Sequence, residues 1–193
     1  MTIISAGGKS LKVTADDRLW LLRAVQAEGE PRRAVAEALV NLWAWQRATG
    51  RSEQSLAALV RAYAQPVNPR WYREGDLFLA AKARAPEQDR PAMEAMARRR
   101  QEVHSARTVF DQSVMAAVEA ALAGVHRGDV TDYAAPNVDA SSKGYRARSE
   151  AEPGRNRLWT RAPGWEGYAA GGGSAVAVLA VAAGVVLWAV AKC

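Results

Sequence analysis

LLRAVQAEGEP, Leu21 to Pro31, sets two carboxylates on either side of one glycine at the point where an amphipathic pattern stops. Upstream, Leu19, Leu22 and Val25 recur at helical spacing behind Thr14 and Asp17, an N-cap residue and the acid three positions on. The spacing predicts a first helix from about Ala15 to Ala27, closed by Gly29. Pro31 suits the first turn of a second helix, in which Val35, Leu39, Leu42 and Gln46 trace one face up to Gly50. The quoted segment is thus a tight corner between two helices.

Further along, Ser52 is the expected cap of a third helix through Leu56, Leu59, Val60 and Tyr63, which must stop before Pro66. The loop AQPVNPRWYREG follows, and its two prolines and two large aromatics are more rigid than a simple connector needs. A short helix from Asp76 to Ala85, one starting between Pro86 and Pro91 that carries Arg98–Arg100, and one from about Ser105 to Ala123 complete the helical part. The last turns Phe110, Val114, Ala117, Val118, Ala121 and Leu122 inward. From Gly128 to Gly167 the periodicity is lost and no strand has a convincing alternation, so this region reads as long surface loops. The expected fold class is mainly α.

The chain has 193 residues, 49% of them hydrophobic, enough for one domain with a sizeable core. Ala169–Ala191, AAGGGSAVAVLAVAAGVVLWAVA, carries no charge and is long enough to cross a hydrocarbon layer of roughly 30 Å as a single C-terminal transmembrane helix. Its Ala and Gly residues repeat at the four-residue spacing that favours close helix packing, a weak pointer to self-association. The rest carries the net charge of +6, which suits an anionic partner: nucleic acid, lipid headgroups or cell wall. Cys193 is the single cysteine, so an intrachain disulfide is ruled out. The first residues lack the basic and apolar regions of a secretory signal. His104 and His126 lack partners at ligand spacing, and no metal or other cofactor is expected. Arg98–Arg100 reads as a solvated face, without the aromatic interleaving of a nucleic-acid module.

The two corner glutamates differ. Glu30 precedes Pro31 at a helix N-terminus, where the dipole favours an anion, and needs no further explanation. Glu28 ends a helix, where the dipole disfavours its charge, one turn beyond the apolar Leu22 and Val25. Both effects favour the protonated form, as a general acid requires.

LWLLRAVQAEGEPRRAVAEALVNLW, Leu19–Trp43, resembles the opening of cell-wall hydrolases of the spore-cortex-lytic type and related phage muralytic proteins, through Glu28, Gly29, Glu30, Pro31, Ala34, Val35, Ala36, Val40 and Asn41. RAYAQPVNPRW, Arg61–Trp71, and ALAGVHRGDVTDYAAP, Ala121–Pro136, are similar to two later segments of such proteins in the same order. The resemblance implies a lysozyme-like transglycosylase domain over residues 15–165. It would follow a polar leader, 1–14, and precede a Gly-rich linker, 166–174, and the membrane helix, 169–191. It also implies cleavage of the β-1,4 bond between N-acetylmuramic acid and N-acetylglucosamine in peptidoglycan, with Glu28 as catalytic acid and Thr131 and Tyr133 lining the cleft. Asp132 stands where the family often has His. Gln65 and Asn68 suit hydrogen bonds to acetamido groups, or fix their loop; Trp71 suits stacking on a sugar face, or covers a core.

A lytic transglycosylase needs no second carboxylate, whereas an inverting lysozyme would need one, for which Asp132 is the candidate. With no signal sequence expected and an apolar C-terminus, the reading is a phage virion protein carried to the host envelope, touching other virion proteins or further copies of itself. Two rivals stand beside it. One is a non-catalytic envelope or channel protein that binds glycan, the other a basic DNA-binding membrane anchor, which predicts salt-dependent duplex binding.

Overall fold

In the computed structural model, residues 2–6, 8–68, 83–84, 86–105, 107–124, 130–134, 138–141, 145–150 and 155–161 are described. Trp71, most of the helix expected over Asp76–Ala85, His126 and the apolar segment 169–191 lie outside them. Among the described residues no helix is long and apolar enough to cross a membrane.

The described residues are mainly helical. They form α1 (Ala15–Glu28), α2 (Arg32–Ala48), α3 (Leu56–Tyr63), α4 (Arg90–His104) and α5 (Gln112–Ala123), with 3-10 turns at Gln65–Val67 and Glu87–Asp89. Two antiparallel sheets accompany them: β1 (Thr2–Ala6) with β2 (Lys9–Val13), and β3 (Asp132–Ala134), β5 (Arg157–Arg161) and β4 (Tyr145–Ala147) in that spatial order.

The helix starts follow from local chemistry. Thr14 Oγ1 accepts from the Asp17 amide at 3.1 Å while Asp17 Oδ2 accepts from the Thr14 amide at 2.9 Å, a reciprocal cap on α1. The other oxygen of Asp17 accepts from the Ala57 amide at 2.7 Å, so one buried carboxylate serves the first turns of both α1 and α3. The cap of α3 is Ser55, which accepts from Ala58 N at 3.1 Å, and not the expected Ser52, whose hydroxyl takes the Gln54 amide at 3.3 Å. Chain between Gly50 and Ser55 is used to bring α3 back under Asp17. At the corner Gly29 adopts φ 78°, with open space where a Cβ would stand, so conformation and not crowding calls for glycine there.

Helix α2 is enclosed. Every residue from Val35 to Trp45 is buried, against α1, α3, α5, β1 and β3, where the sequence suggested one inward face. The two polar members of that run are partnered: Glu37 with Arg33 at 2.9 Å, and Asn41, which donates to the Val130 carbonyl at 3.0 Å. Truncating a fully buried member such as Leu39 to Ala would cost about 2–5 kcal/mol.

Three further expectations are corrected. The span read as a polar leader holds a hairpin of β1 and β2: Ile4, Ala6, Leu11 and Val13 alternate into the core, Ile4 pairs with Leu11, and Gly8 has φ 75°. The region after Gly128 contains a sheet, whose Trp159 and Thr160 are buried. Helix α5 begins at Gln112, not near Ser105, because Thr108 Oγ1 lies 2.8 and 2.7 Å from the carbonyls of Glu102 and Ser105 and ties off the end of α4. Its inward residues Val114, Ala117, Val118, Ala121 and Leu122 are buried as read from the spacing.

Candidate active site

Glu28 is the last residue of α1, half-buried. Strand β3 brings Tyr133 to it, and the phenol donates to Glu28 Oε1 at 3.2 Å. Burial first, then the Glu28 charge, the hydrogen bond to it and the Asp132 charge push the Tyr133 hydroxyl well above its ordinary range. Tyr133 is therefore a neutral, protonated donor at any physiological pH, and it fixes one oxygen of the carboxylate.

The corner itself is held from the sheet. Asn156, just before β5, donates from Nδ2 to the Glu28 carbonyl at 3.2 Å and from its backbone amide to the Glu30 carbonyl at 3.0 Å. The first of these carbonyls belongs to the helix end, where acceptors otherwise lack partners. The Glu30 carboxylate turns the other way, accepting from Arg32 N at 3.1 Å at the start of α2 and facing Arg32 Nε at 3.4 Å. Arg32 also pairs with Asp111 at 3.0 Å and hydrogen-bonds Ser113, which ties the corner to the start of α5. Glu30 is thus a helix-capping carboxylate, and Glu28 is the one that meets the sheet.

Thr131 is buried, its hydroxyl donates to Asp132 Oδ2 at 2.8 Å and its amide to the Trp159 carbonyl at 3.0 Å. Its contacts orient Asp132 and register β3, and Tyr133 of the same segment is joined to Glu28. Gln65 and Asn68 lie at the 3-10 turn packed against α1 and α4. Gln65 is exposed, and the Asn68 side chain donates to the Ala62 carbonyl at 3.2 Å, closing the end of α3. Trp71 lies outside the described residues.

A groove of about 640 Å³ opens beside the corner, lined by Gln26, Gly29, Arg32 and Asp111 with the end of α4. It passes Gly29 without including Glu28 among its described lining residues. Among the described residues no group of three or more His, Cys, Asp or Glu could hold a metal ion.

Asn156 carries no local sequence signal of its role. An Asn between Arg155 and a strand looks like any turn residue, and its role arises from contacts 128 positions away. In comparisons with protein-family models, curated proteins and solved structures, nothing matches this chain.

Proposed function

We propose that the protein is a peptidoglycan lytic transglycosylase that cleaves the β-1,4 bond between N-acetylmuramic acid and N-acetylglucosamine, with Glu28 as its acid and base. The observation that carries this reading is the pairing of a helix-end glutamate with a neutral phenol presented by a small antiparallel sheet. In the proposed reaction protonated Glu28 gives its proton to the glycosidic oxygen as the bond from C1 to that oxygen breaks. The carboxylate then takes the proton of the muramic acid 6-hydroxyl as that oxygen closes on C1, leaving a 1,6-anhydro end. Tyr133 holds the carboxylate through both steps. A water in place of the 6-hydroxyl would give a reducing end and make the protein a muramidase, with Asp132 the nearby second carboxylate.

The apolar segment 169–191 is proposed as an anchor, and a membrane-associated phage virion protein acting at genome entry is the setting that suits it. The test is incubation of the full chain and its Glu28→Gln variant with purified peptidoglycan, followed by mass analysis of the soluble muropeptides. Anhydro ends from the wild type alone are the expected result; no release by either protein would sink the proposal.

A second reading, a non-catalytic virion or channel protein that binds glycan, is favoured by the same hydrogen bond, because Tyr133 keeps the Glu28 carboxylate engaged. It predicts glycan pull-down that is unchanged in Glu28→Gln.

A further inference from the structure

A second cluster gathers around Trp20, away from the partners of Glu28. The guanidinium of Arg23 lies 4.8 Å from the Trp20 ring centroid and that of Arg61 lies 4.7 Å from it. The His104 imidazole meets the same ring edge-on, 5.4 Å between centroids with 65° between the planes. Three helices, α1, α3 and α4, supply these groups, so the cluster is made by the fold and not by one helix face.

Among the described residues, no carboxylate pairs with the cluster's arginines. Arg18, Arg32, Arg33 and Arg47 all pair with carboxylates, whereas neither Arg23 nor Arg61 is in an ion pair among the described residues. Arg23 donates from Nη2 to the His104 carbonyl at 3.4 Å, and its Nε is buried with no acceptor. Arg61 is exposed, and Trp20, Arg23 and His104 are half-buried, with Arg23 Nε and His104 Nε2 on the buried side, so Arg61 is the cluster's solvent-facing member. Burial and, more weakly, the two guanidiniums hold the His104 imidazole below its usual range, against a hydrogen bond to the Pro66 carbonyl that acts the other way. The two arginines and the histidine therefore share one electrostatic neighbourhood.

We infer that Arg23, Arg61 and His104 around Trp20 form a binding site for a phosphate group. Guanidinium forks match phosphate oxygens in pairs, and a phosphate monoester carries three acceptor oxygens and a charge of about −1.5 to −2 near neutral pH, which two unpaired cations balance. A single carboxylate would satisfy one fork. Contact with the Trp20 ring restrains both guanidiniums before the anion arrives, which lowers the ordering cost of binding. The phosphate is free or a monoester; a lipid headgroup diester, with one charge and two free oxygens, is the alternative source that the second arm of the test distinguishes. This inference does not depend on the reading of Glu28.

The test uses the full chain in neutral detergent micelles, with the His104 ring proton followed by NMR. Inorganic phosphate is titrated in one arm and glycerophosphoglycerol, a soluble headgroup diester, in the other, against chloride at matched ionic strength. The expected result is a saturable upward shift of the His104 titration midpoint in at least one arm, absent with chloride. Arg61→Gln, an exposed position whose substitution leaves the core intact, weakens it about tenfold, the cost of one charge-assisted bond, and Arg23→Gln does likewise. Saturation by inorganic phosphate alone assigns the site to free phosphate; tighter saturation by the diester assigns it to a lipid headgroup. A response that fails to saturate, is matched by chloride, or is unchanged in both variants overturns the inference.

Discussion

The Tyr133 hydroxyl donates to Oε1 of Glu28 at 3.2 Å across 105 residues of sequence, joining the end of α1 to the first strand of the second sheet. Each element contributes what the other lacks: the helix ends in a carboxylate, and the strand offers a phenol that stays protonated.

Replacing Glu28 by Gln keeps the size and the hydrogen-bonding capacity of the side chain but removes the transferable proton. Muropeptide release is expected to fall about 10³-fold, within the range general acids contribute. The thermal midpoint is expected to stay near the wild-type value, and a large drop would instead assign Glu28 a structural role.

Tyr133→Phe removes the donor and leaves the ring. The loss of one hydrogen bond to a carboxylate is expected to cost about 1–2 kcal/mol in urea unfolding. Because the folded pKa is raised above the ordinary 10.0, this tyrosine's stabilising contribution is complete below that pH and is lost as pH rises from there toward the raised value. Wild type is therefore expected to lose stability above that pH more steeply than Tyr133→Phe, and the wild-type minus variant absorbance of tyrosinate should titrate late. Parallel pH profiles for the two proteins would contradict this.

Asn156→Ala leaves the Glu28 carbonyl without its side-chain donor while the backbone bond to Glu30 remains. Stability is expected to fall by about 1 kcal/mol. Under the proposed activity, the turnover number is expected to drop with little change in KM, since Asn156 bonds the backbone of the corner. A rise in KM at constant turnover would place Asn156 in contact with substrate.

Asp17→Ala strips the first turns of α1 and α3 together, leaving the Ala57 amide without its acceptor. A loss of about 2–4 kcal/mol is expected, larger than for an ordinary cap. Ser55→Ala, which serves α3 alone, should cost about 1 kcal/mol in the same chemical denaturation assay.

His104 is held below its ordinary 6.5 by burial and by Arg23 and Arg61. The unfolded chain thus binds that proton more tightly, so the contribution is intact above the unfolded value and is lost as pH falls through the depressed one. Urea midpoints compared at about pH 8 and pH 5 should fall for wild type and hold steadier for His104→Gln, once the shared carboxylate effect is subtracted. Equal falls in both would remove His104 from the account.

How much of this was legible in the sequence depended on range. The corner was, because Thr14, Asp17, Gly29 and Pro31 act within one turn of themselves, and α1 and α2 end within about two residues of the positions their spacing predicts. The inward residues of α5 were, because helical period and burial coincide there. The β1–β2 hairpin also has a local signature: Ile4, Ala6, Leu11 and Val13 alternate around Gly7–Gly8, a recognised turn signal. Strands β3 and β4 span three residues each, too few for any alternation to stand out.

The sequence by itself determined that this chain is mainly helical, where its first two helices begin and end, and that Glu28 and Glu30 flank a turn. Those outcomes rest on hydrogen bonds and side-chain contacts within four or five positions, which neighbouring residues settle alone. Only the tertiary structure decided that α2 is enclosed, that Glu28 meets Tyr133 while Glu30 caps α2, that Asn156 pins the corner, and that Arg23, Arg61 and His104 meet on Trp20. Such contacts form when the closing of long loops is repaid by burial of the shared core, and no local pattern along the chain encodes which partners will meet.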